Sequence, residues 1–355
     1  MRVAILGVGL IGGSIGLAAR DHAEEVVGYD PDRDVLATAL RRGAIGRAAA
    51  SVAEAVVGAD ACFCCAPVGA LPALLEEVLA AAGPDCVVTD VGSTKRMVAG
   101  IDDERFVGGH PIAGAETAGV EHARADLFAG AAWYLTPGER ASGLLYERLH
   151  RLIVAFGARP VAIDAETHDR LLAGVSHLPH VVANVLVAQA AGLLSDEGEA
   201  LPRVGPSFRD ATRVAGASSR IWTDIYVANA EAIAQQVEET ARRLHEAAAL
   251  LRSRDRAAIE AWNEQAREHR RRLLESDLAG GEAIELRVSV PNRPGIVAQV
   301  ALALGKAGVN IVDMALSPAP DMRSGAVTLW IAGTEAAERA EAVIEELGFP
   351  VARGE

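Results

Sequence analysis

The chain opens on an apolar run that feeds directly into glycines, Arg2-Val-Ala-Ile-Leu-Gly7-Val-Gly9-Leu-Ile-Gly12-Gly13-Ser14. Few short patterns restrict a fold as strongly, because a strand, a tight turn and a helix must follow one another without a spare residue. Gly7 permits the turn, Gly9 leaves backbone open to a pyrophosphate, and Gly12 lets the helix pack closely on the sheet, with the phosphates at the helix N-terminus. A second strand, Glu25 to Tyr29, follows and ends at Asp30. An acidic side chain there accepts hydrogen bonds from the adenosine ribose and repels a 2'-phosphate, which favours NAD. Arg33 stands close enough in sequence to act as the competing phosphate clamp that would favour NADP. Leu10 and Ile11 in the turn, and Pro67 after a later apolar run, join Gly7, Gly9, Gly12, Asp30 and Ser93 as the expected cofactor-binding residues.

From this start to Ile163, short apolar runs alternate with Ala/Leu-rich amphipathic stretches. The runs are Val3 to Leu6, Glu25 to Tyr29, Ala61 to Cys65, Cys86 to Asp90, Phe106 to Gly109, Trp133 to Thr136 and Pro160 to Ile163. Such alternation predicts a mainly parallel sheet wrapped by helices. After Asp164 the texture becomes helical to about Leu278, with breaks near Pro202 and Pro206 and a closing helix from about Trp222 to Ser253. Gly280-Gly281 then separates a third unit with a strand, helix, strand, strand, helix pattern between Ala283 and Val351, most of a ferredoxin-like βαββαβ arrangement. The fold class expected is α/β: an N-terminal Rossmann dinucleotide-binding domain (1–164), an all-helical second domain for substrate and dimerisation (165–280) and a C-terminal ferredoxin-like α+β domain (283–355).

Composition excludes some classes of partner. A formal charge of −14 without a basic stripe argues against nucleic acid. A few arginines in a cleft can still collect a small dianion. No stretch of about eighteen apolar residues without charges is read, so no membrane span is expected. The N-terminus lacks a cleavage pattern, which gives an expectation of a cytoplasmic protein. Cys62, Cys64, Cys65 and Cys86 have neither zinc nor redox spacing and read as buried strand thiols.

Three polar segments fall where a Rossmann sheet opens its crevice or face it from the helical domain. The first two are Thr89-Asp-Val-Gly-Ser93-Thr-Lys95 and Gly108-Gly-His110-Pro-Ile-Ala-Gly114-Ala-Glu116, each just after an expected strand. His110 before a proline also suits a structural turn, but a glycine-rich loop beside a cofactor site favours catalysis. The third combines Ser176-His177-Leu-Pro-His180, Phe208-Arg209-Asp210-Ala-Thr212-Arg213 and Trp222. Two histidines three apart are half a metal site, yet no further ligand cluster accompanies them, so a polar pocket lining without metal is expected. Arg209 or Arg213 suits a carboxylate clamp; pairing with Asp210 is the structural alternative.

These segments together resemble the prephenate and arogenate dehydrogenase family along the whole chain. The tail, with Asn292-Arg293-Pro294-Gly295 and Gly308-Val-Asn310-Ile311, resembles an ACT domain, the amino-acid-sensing fold of some members. The resemblance implies that His110 accepts the proton of a substrate ring hydroxyl as hydride leaves for the nicotinamide. Ser93 would orient His110, Arg213 would hold a substrate carboxylate, and Ser176, His180, Trp222 and Glu116 would line the substrate pocket. It further implies NAD as cofactor, prephenate or arogenate as substrate, L-tyrosine as a feedback ligand at Asn292, Arg293, Pro294, Gly295, Asn310 and Ile311, and a homodimer. Ala115, where relatives often carry a hydroxyl, and Gly205-Pro206-Ser207, which replaces a glycine run, leave the keto or amino form of the substrate open. A hydroxy-acid dehydrogenase would want a catalytic lysine on the helical domain, but the chain holds only Lys95 and Lys306. A non-catalytic nucleotide and amino-acid sensor is the alternative from another class.

Overall fold

The computed structural model describes residues 1–114, 117–195, 204–276, 283–291, 311–318 and 324–354, with isolated positions between 296 and 309. They form two compact units, Met1–Leu244 and His245–Glu355.

In the first unit five strands pair in parallel in the order β3 (Arg47–Ala48), β2 (Glu25–Tyr29), β1 (Arg2–Leu6), β4 (Ala61–Cys64), β5 (Val87–Asp90). Side chains alternate along each strand, so β1 sends Val3 and Ile5 into one apolar layer with Phe63 and Trp133. Ala4 and Leu6 enter the other layer, with Cys62, Cys64, Leu71 and Leu75. A sheet covered on both faces needs near-continuous apolar strands, which is what the sequence provides. The cysteines are free thiols, with Cys62, Cys64 and Cys86 buried and Cys65 half-buried.

The order reverses between β1 and β4, and the glycine turn lies there. Gly7 sits at φ +93°, and a Cβ on it would lie 2.6 Å from the Cys65 carbonyl oxygen, so glycine is required twice over. The helix α1 (Leu10–Ala19) starts directly after it. Three further helices cover this sheet: α2 (Arg33–Arg42), α3 (Val52–Val56) and α4 (Leu71–Ala81).

A second sheet follows, with β6 (Val107–Pro111) antiparallel to β7 (Ala132–Pro137) and β7 parallel to β8 (Arg159–Ala162); α5 (Gly143–Ala155) links the last two. An isolated parallel bridge, Val88 to Phe106, ties it to the first sheet. The expected loop position of His110 is therefore corrected: it lies within β6, opposite Tyr134. Pro111 is tolerated because β6 is an edge strand of its sheet.

The helical part begins at α6 (Ala165–Leu172), capped by the Asp164 carboxylate accepting from the Thr167 amide at 2.8 Å. A π-helical turn, Ala173–His177, leads into α7 (Leu178–Ser195); then come α8 (Pro206–Thr212), α9 (Ser219–Ala228), α10 (Ala230–Ser253) and α11 (Arg256–Ser276). The single closing helix expected from Trp222 is two helices meeting at Asn229. The stretch Ala165–Gly192 is long and apolar enough to cross a membrane by length and composition alone. This corrects the expectation that no such run exists: Ser176, His177, His180 and Asn184 interrupt the apolar pattern without adding charge. The same stretch contains His168 and Asp169, fully buried in hydrogen bonds to other protein groups.

In the second unit β10 (Ile311–Pro318), β11 (Ser324–Ala332), β9 (Ala283–Pro291) and β12 (Val351–Arg353) form an antiparallel sheet in that order. Leu286, Val288 and Val290 alternate onto one face and pack with Ile296, Val300 and Leu304 and with Ala340 and Ile344 of α12 (Thr334–Glu346). The fourth strand completes the ferredoxin-like pattern.

Candidate active site

The C-terminal ends of β1, β4 and β5 carry Gly7, Pro67 and Ser93, so the expected cofactor residues rim one crevice at the switch point of the sheet. A Cβ built on Gly9 would meet nothing within 4 Å, which leaves that backbone open to a phosphate. Leu10 and Ile11 follow it, half-buried. The Asp30 carboxylate accepts from the Val8 amide at 2.9 Å and from the Asp32 amide at 3.0 Å, fixing the end of β2 against the turn. An ionised carboxylate has further lone pairs for a ribose hydroxyl. Arg33 is exposed at the first turn of α2. These residues fit a dinucleotide.

At the end of β5 a buried ion pair fastens the two sheets. Lys95, with no exposed surface, donates to the Asp90 carboxylate and, at 2.7 Å, to the Gly109 carbonyl. Asp90 also accepts from the amides of Gly92 at 2.8 Å and Gly109 at 3.1 Å. A Cβ on Gly109 would lie 2.6 Å from the Asp90 carbonyl oxygen, so the glycine before His110 is a packing requirement. Burial pulls the Lys95 ammonium below its usual range, and Asp90 opposes that shift.

His110 is 8% exposed, and burial, then its neighbours His168, Lys95 and His177, push it well below the ordinary imidazole range. The ring is therefore neutral at physiological pH. Its Nδ1 lies 2.9 Å from Nε2 of His168, and His168 Nδ1 lies 2.8 Å from Oδ1 of Asp169. Tyr134 packs edge-on against the His168 ring at 5.5 Å. The Asp169 carboxylate takes the backbone amides of Lys95 at 2.7 Å and Arg96 at 2.9 Å, which pins the loop carrying Ser93 to α6. Burial raises Asp169, but the hydrogen bonds from His168 and these amides outweigh it and hold the carboxyl below its usual range. Asn229 closes the cluster, its Nδ2 donating to the Asp169 carbonyl at 2.8 Å and lying 3.2 Å from His177 Nδ1. Burial lowers His177 to about 4.

The cluster continues into an aromatic cavity. His177 meets Trp222 edge-on at 6.0 Å, and His180 stacks on the same indole at 3.4 Å. The cavity beside them has a volume of about 150 Å³ and is lined by His180, Asn184, Ala217, Trp222 and Tyr226 among others. Ser176 is half-buried on the π-helical turn, a feature that often marks functional sites. Arg213, exposed, directly precedes the lining residues Val214 and Ala215. Ser93, His110, Ser176, His180 and Trp222 are thus brought to one region of the first unit, whereas Glu116 lies outside the described residues. So do Asn292, Arg293, Pro294, Gly295 and Asn310; Ile311 begins β10. Sequence reasoning did not single out His168, Asp169 or Asn229. Among the described residues no group of three or more metal-ligating side chains occurs.

The family description "Prephenate dehydrogenase, nucleotide-binding domain" matches residues 15–162, the corresponding dimerization domain 164–265 and the ACT domain 284–347. The chain is 30% identical to the prephenate dehydrogenase of Bacillus subtilis over 97% of its own length and 95% of the relative's. It belongs to the prephenate dehydrogenase family. Among solved structures, prephenate dehydrogenase from Aquifex aeolicus in complex with hydroxyphenyl propionate and NAD+ superposes with a TM-score of 0.71 at 29% identity, covering 76% of this chain and 97% of that one. Arogenate dehydrogenase from Synechocystis gives 0.68 at 25% identity, covering 76% and 99%. The chain is an NAD-dependent dehydrogenase of that family, with an ACT domain after its catalytic part.

Proposed function

We propose that the chain converts prephenate to 4-hydroxyphenylpyruvate in L-tyrosine biosynthesis by NAD-dependent oxidative decarboxylation, with arogenate as the competing substrate. The observation that carries this reading is a buried, neutral His110 beside a Rossmann crevice, in a chain of this family. His110 accepts the proton of the ring hydroxyl as the carbon bearing it becomes a carbonyl. Bound NAD+ supplies the hydride acceptor. Cleavage of the ring carboxylate releases carbon dioxide, its electron pair aromatises the ring, and the proton returns from His110 to the phenolate. The active site has to supply mainly positioning and charge complementarity, since aromatisation drives the loss of carbon dioxide.

Ser93 orients His110 and touches the nicotinamide end of the cofactor. Arg213 holds a substrate carboxylate, and Ser176, His180, Trp222 and Glu116 contact the remainder of the substrate. Gly7, Gly9, Leu10, Ile11, Gly12, Asp30 and Pro67 bind NAD. The domains divide near 164 and 280. The dimerization-domain match and the exposed apolar side chains of α7, Val185 and Val187 among them, support a homodimer. L-tyrosine is the ligand of the ACT domain, through Asn292, Arg293, Pro294, Gly295, Asn310 and Ile311. The enzyme works in the cytoplasm.

Initial rates of NADH or NADPH formation test the reading, with prephenate and arogenate, each with NAD+ and NADP+, and with L-tyrosine added to the fastest pair. The highest kcat/KM is expected for prephenate with NAD+, and tyrosine is expected to lower the rate. A preference for NADP+ would remove the ribose role of Asp30 and promote Arg33.

A further inference from the structure

We propose that His168 and Asp169 are positioning residues that hold His110 in one tautomer, with the proton on Nδ1 and the Nε2 lone pair free for the substrate. The inference rests on the reading of His110 as the proton acceptor. It adds the origin of that capacity.

The hydrogen-bond polarity follows from one end of the chain. Asp169 is ionised and can only accept, so His168 Nδ1 must carry the proton in the 2.8 Å contact. A neutral His168 then offers Nε2 as an acceptor, and the only proton that can lie in the 2.9 Å contact is the one on His110 Nδ1. Neutral His110 has no second ring proton, so its Nε2 is bare. The His168 ring has no exposed surface, so a second ring proton would bury an extra charge, while Asp169 already shares its charge with the Lys95 and Arg96 amides. Tyr134 and His110 pack against the ring edge-on, with ring centroids 5.5 Å and 5.1 Å away. A free imidazole prefers its proton on Nε2, and that form could not accept a proton there. The pair on α6 therefore selects the reactive form before substrate arrives, the same logic by which an aspartate orients a catalytic histidine in serine proteases.

Ring 15N NMR of the full-length protein, assigned by the loss of signal in His110→Asn, reads the tautomer without reference to turnover. A protonated Nδ1 and bare Nε2 on His110 are expected; a proton on Nε2 of His110 would overturn the proposal, as would a doubly protonated His168. Kinetics supply the second arm. His168→Leu is expected to lower kcat by about 10-fold or more with KM within about twofold, because only the base is misprotonated. His168→Gln, whose amide oxygen can accept from His110 Nδ1, is expected to recover most of the loss. Equal loss in Leu and Gln, or none in either, contradicts the relay. Failure of the His110 reading is distinguishable, since it would show as an active His110→Asn enzyme whatever the tautomer.

Discussion

Replacing His110 with asparagine is expected to lower kcat by about 100- to 10,000-fold while leaving KM within about threefold, because general-base catalysis contributes in that range. Asparagine is close in size, and its amide can still donate to His168, so the fold around β6 and the substrate cavity are preserved. It cannot take a proton. The loss therefore falls on an interaction made mainly in the transition state, and steady-state kinetics with the wild type as reference should show it in kcat alone. The same residue governs the pH profile. Burial favours the neutral ring, and protonation removes the base, so activity lost on acidification is lost only as pH falls through the depressed value of His110. The acid limb of kcat/KM should accordingly lie below the range of a free imidazole. A His110→Asn enzyme with near wild-type kcat would contradict the assignment.

The second large effect is on stability. Lys95→Met keeps the apolar stem of the side chain but removes the ammonium from Asp90 and from the Gly109 carbonyl. Asp90 is fully buried and, among the described residues, retains the Gly92 and Gly109 amides. Breaking one side of a buried ion pair typically costs about 3 to 5 kcal/mol, because a charge is left uncompensated. Denaturant unfolding should show a correspondingly lower midpoint, and Lys95→Met combined with Asp90→Asn should recover part of it. An unchanged midpoint in the single variant would mean that the pair does not fasten β5 to β6.

Much of this was legible in the chain because it depends on local pattern. The turn from β1 to α1 needs glycine for steric reasons that a sequence displays directly, and apolar strands buried on both faces announce themselves. Cys62 and Cys64 behave as small apolar residues because they alternate with Phe63 in β4. What escaped was nonlocal. His168 and Asp169 read as ordinary polar residues in the first turns of an amphipathic helix, and their partners His110 and Lys95 lie 58 and 74 residues away. An adjacent His-Asp pair on the face that also carries Leu172 was the available signal, since unpaired charge on an apolar face needs a partner. Lys95 was weighed only as a catalytic group, although its neighbour Asp90 makes it a structural one. The strand position of His110 was hidden by Pro111, which usually ends a strand and here is accommodated at a sheet edge. The expected closing helix divides at Asn229, which leaves the helical backbone at φ −122° and places its side chain on Asp169 and His177, residues distant in sequence.

In this active site, oxidation at the ring hydroxyl and loss of the ring carboxylate are expected to occur together. Prephenate labelled with 13C at the ring carboxylate, incubated with the full-length protein and limiting NAD+, measures both at once. One labelled carbon dioxide and one 4-hydroxyphenylpyruvate are expected for each NADH formed, with neither product above an enzyme-free control when NAD+ is omitted, and with both slowed together by about 100- to 10,000-fold when His110 is asparagine. NADH formation without labelled carbon dioxide, or release of carbon dioxide above that control without NAD+, would contradict this coupling.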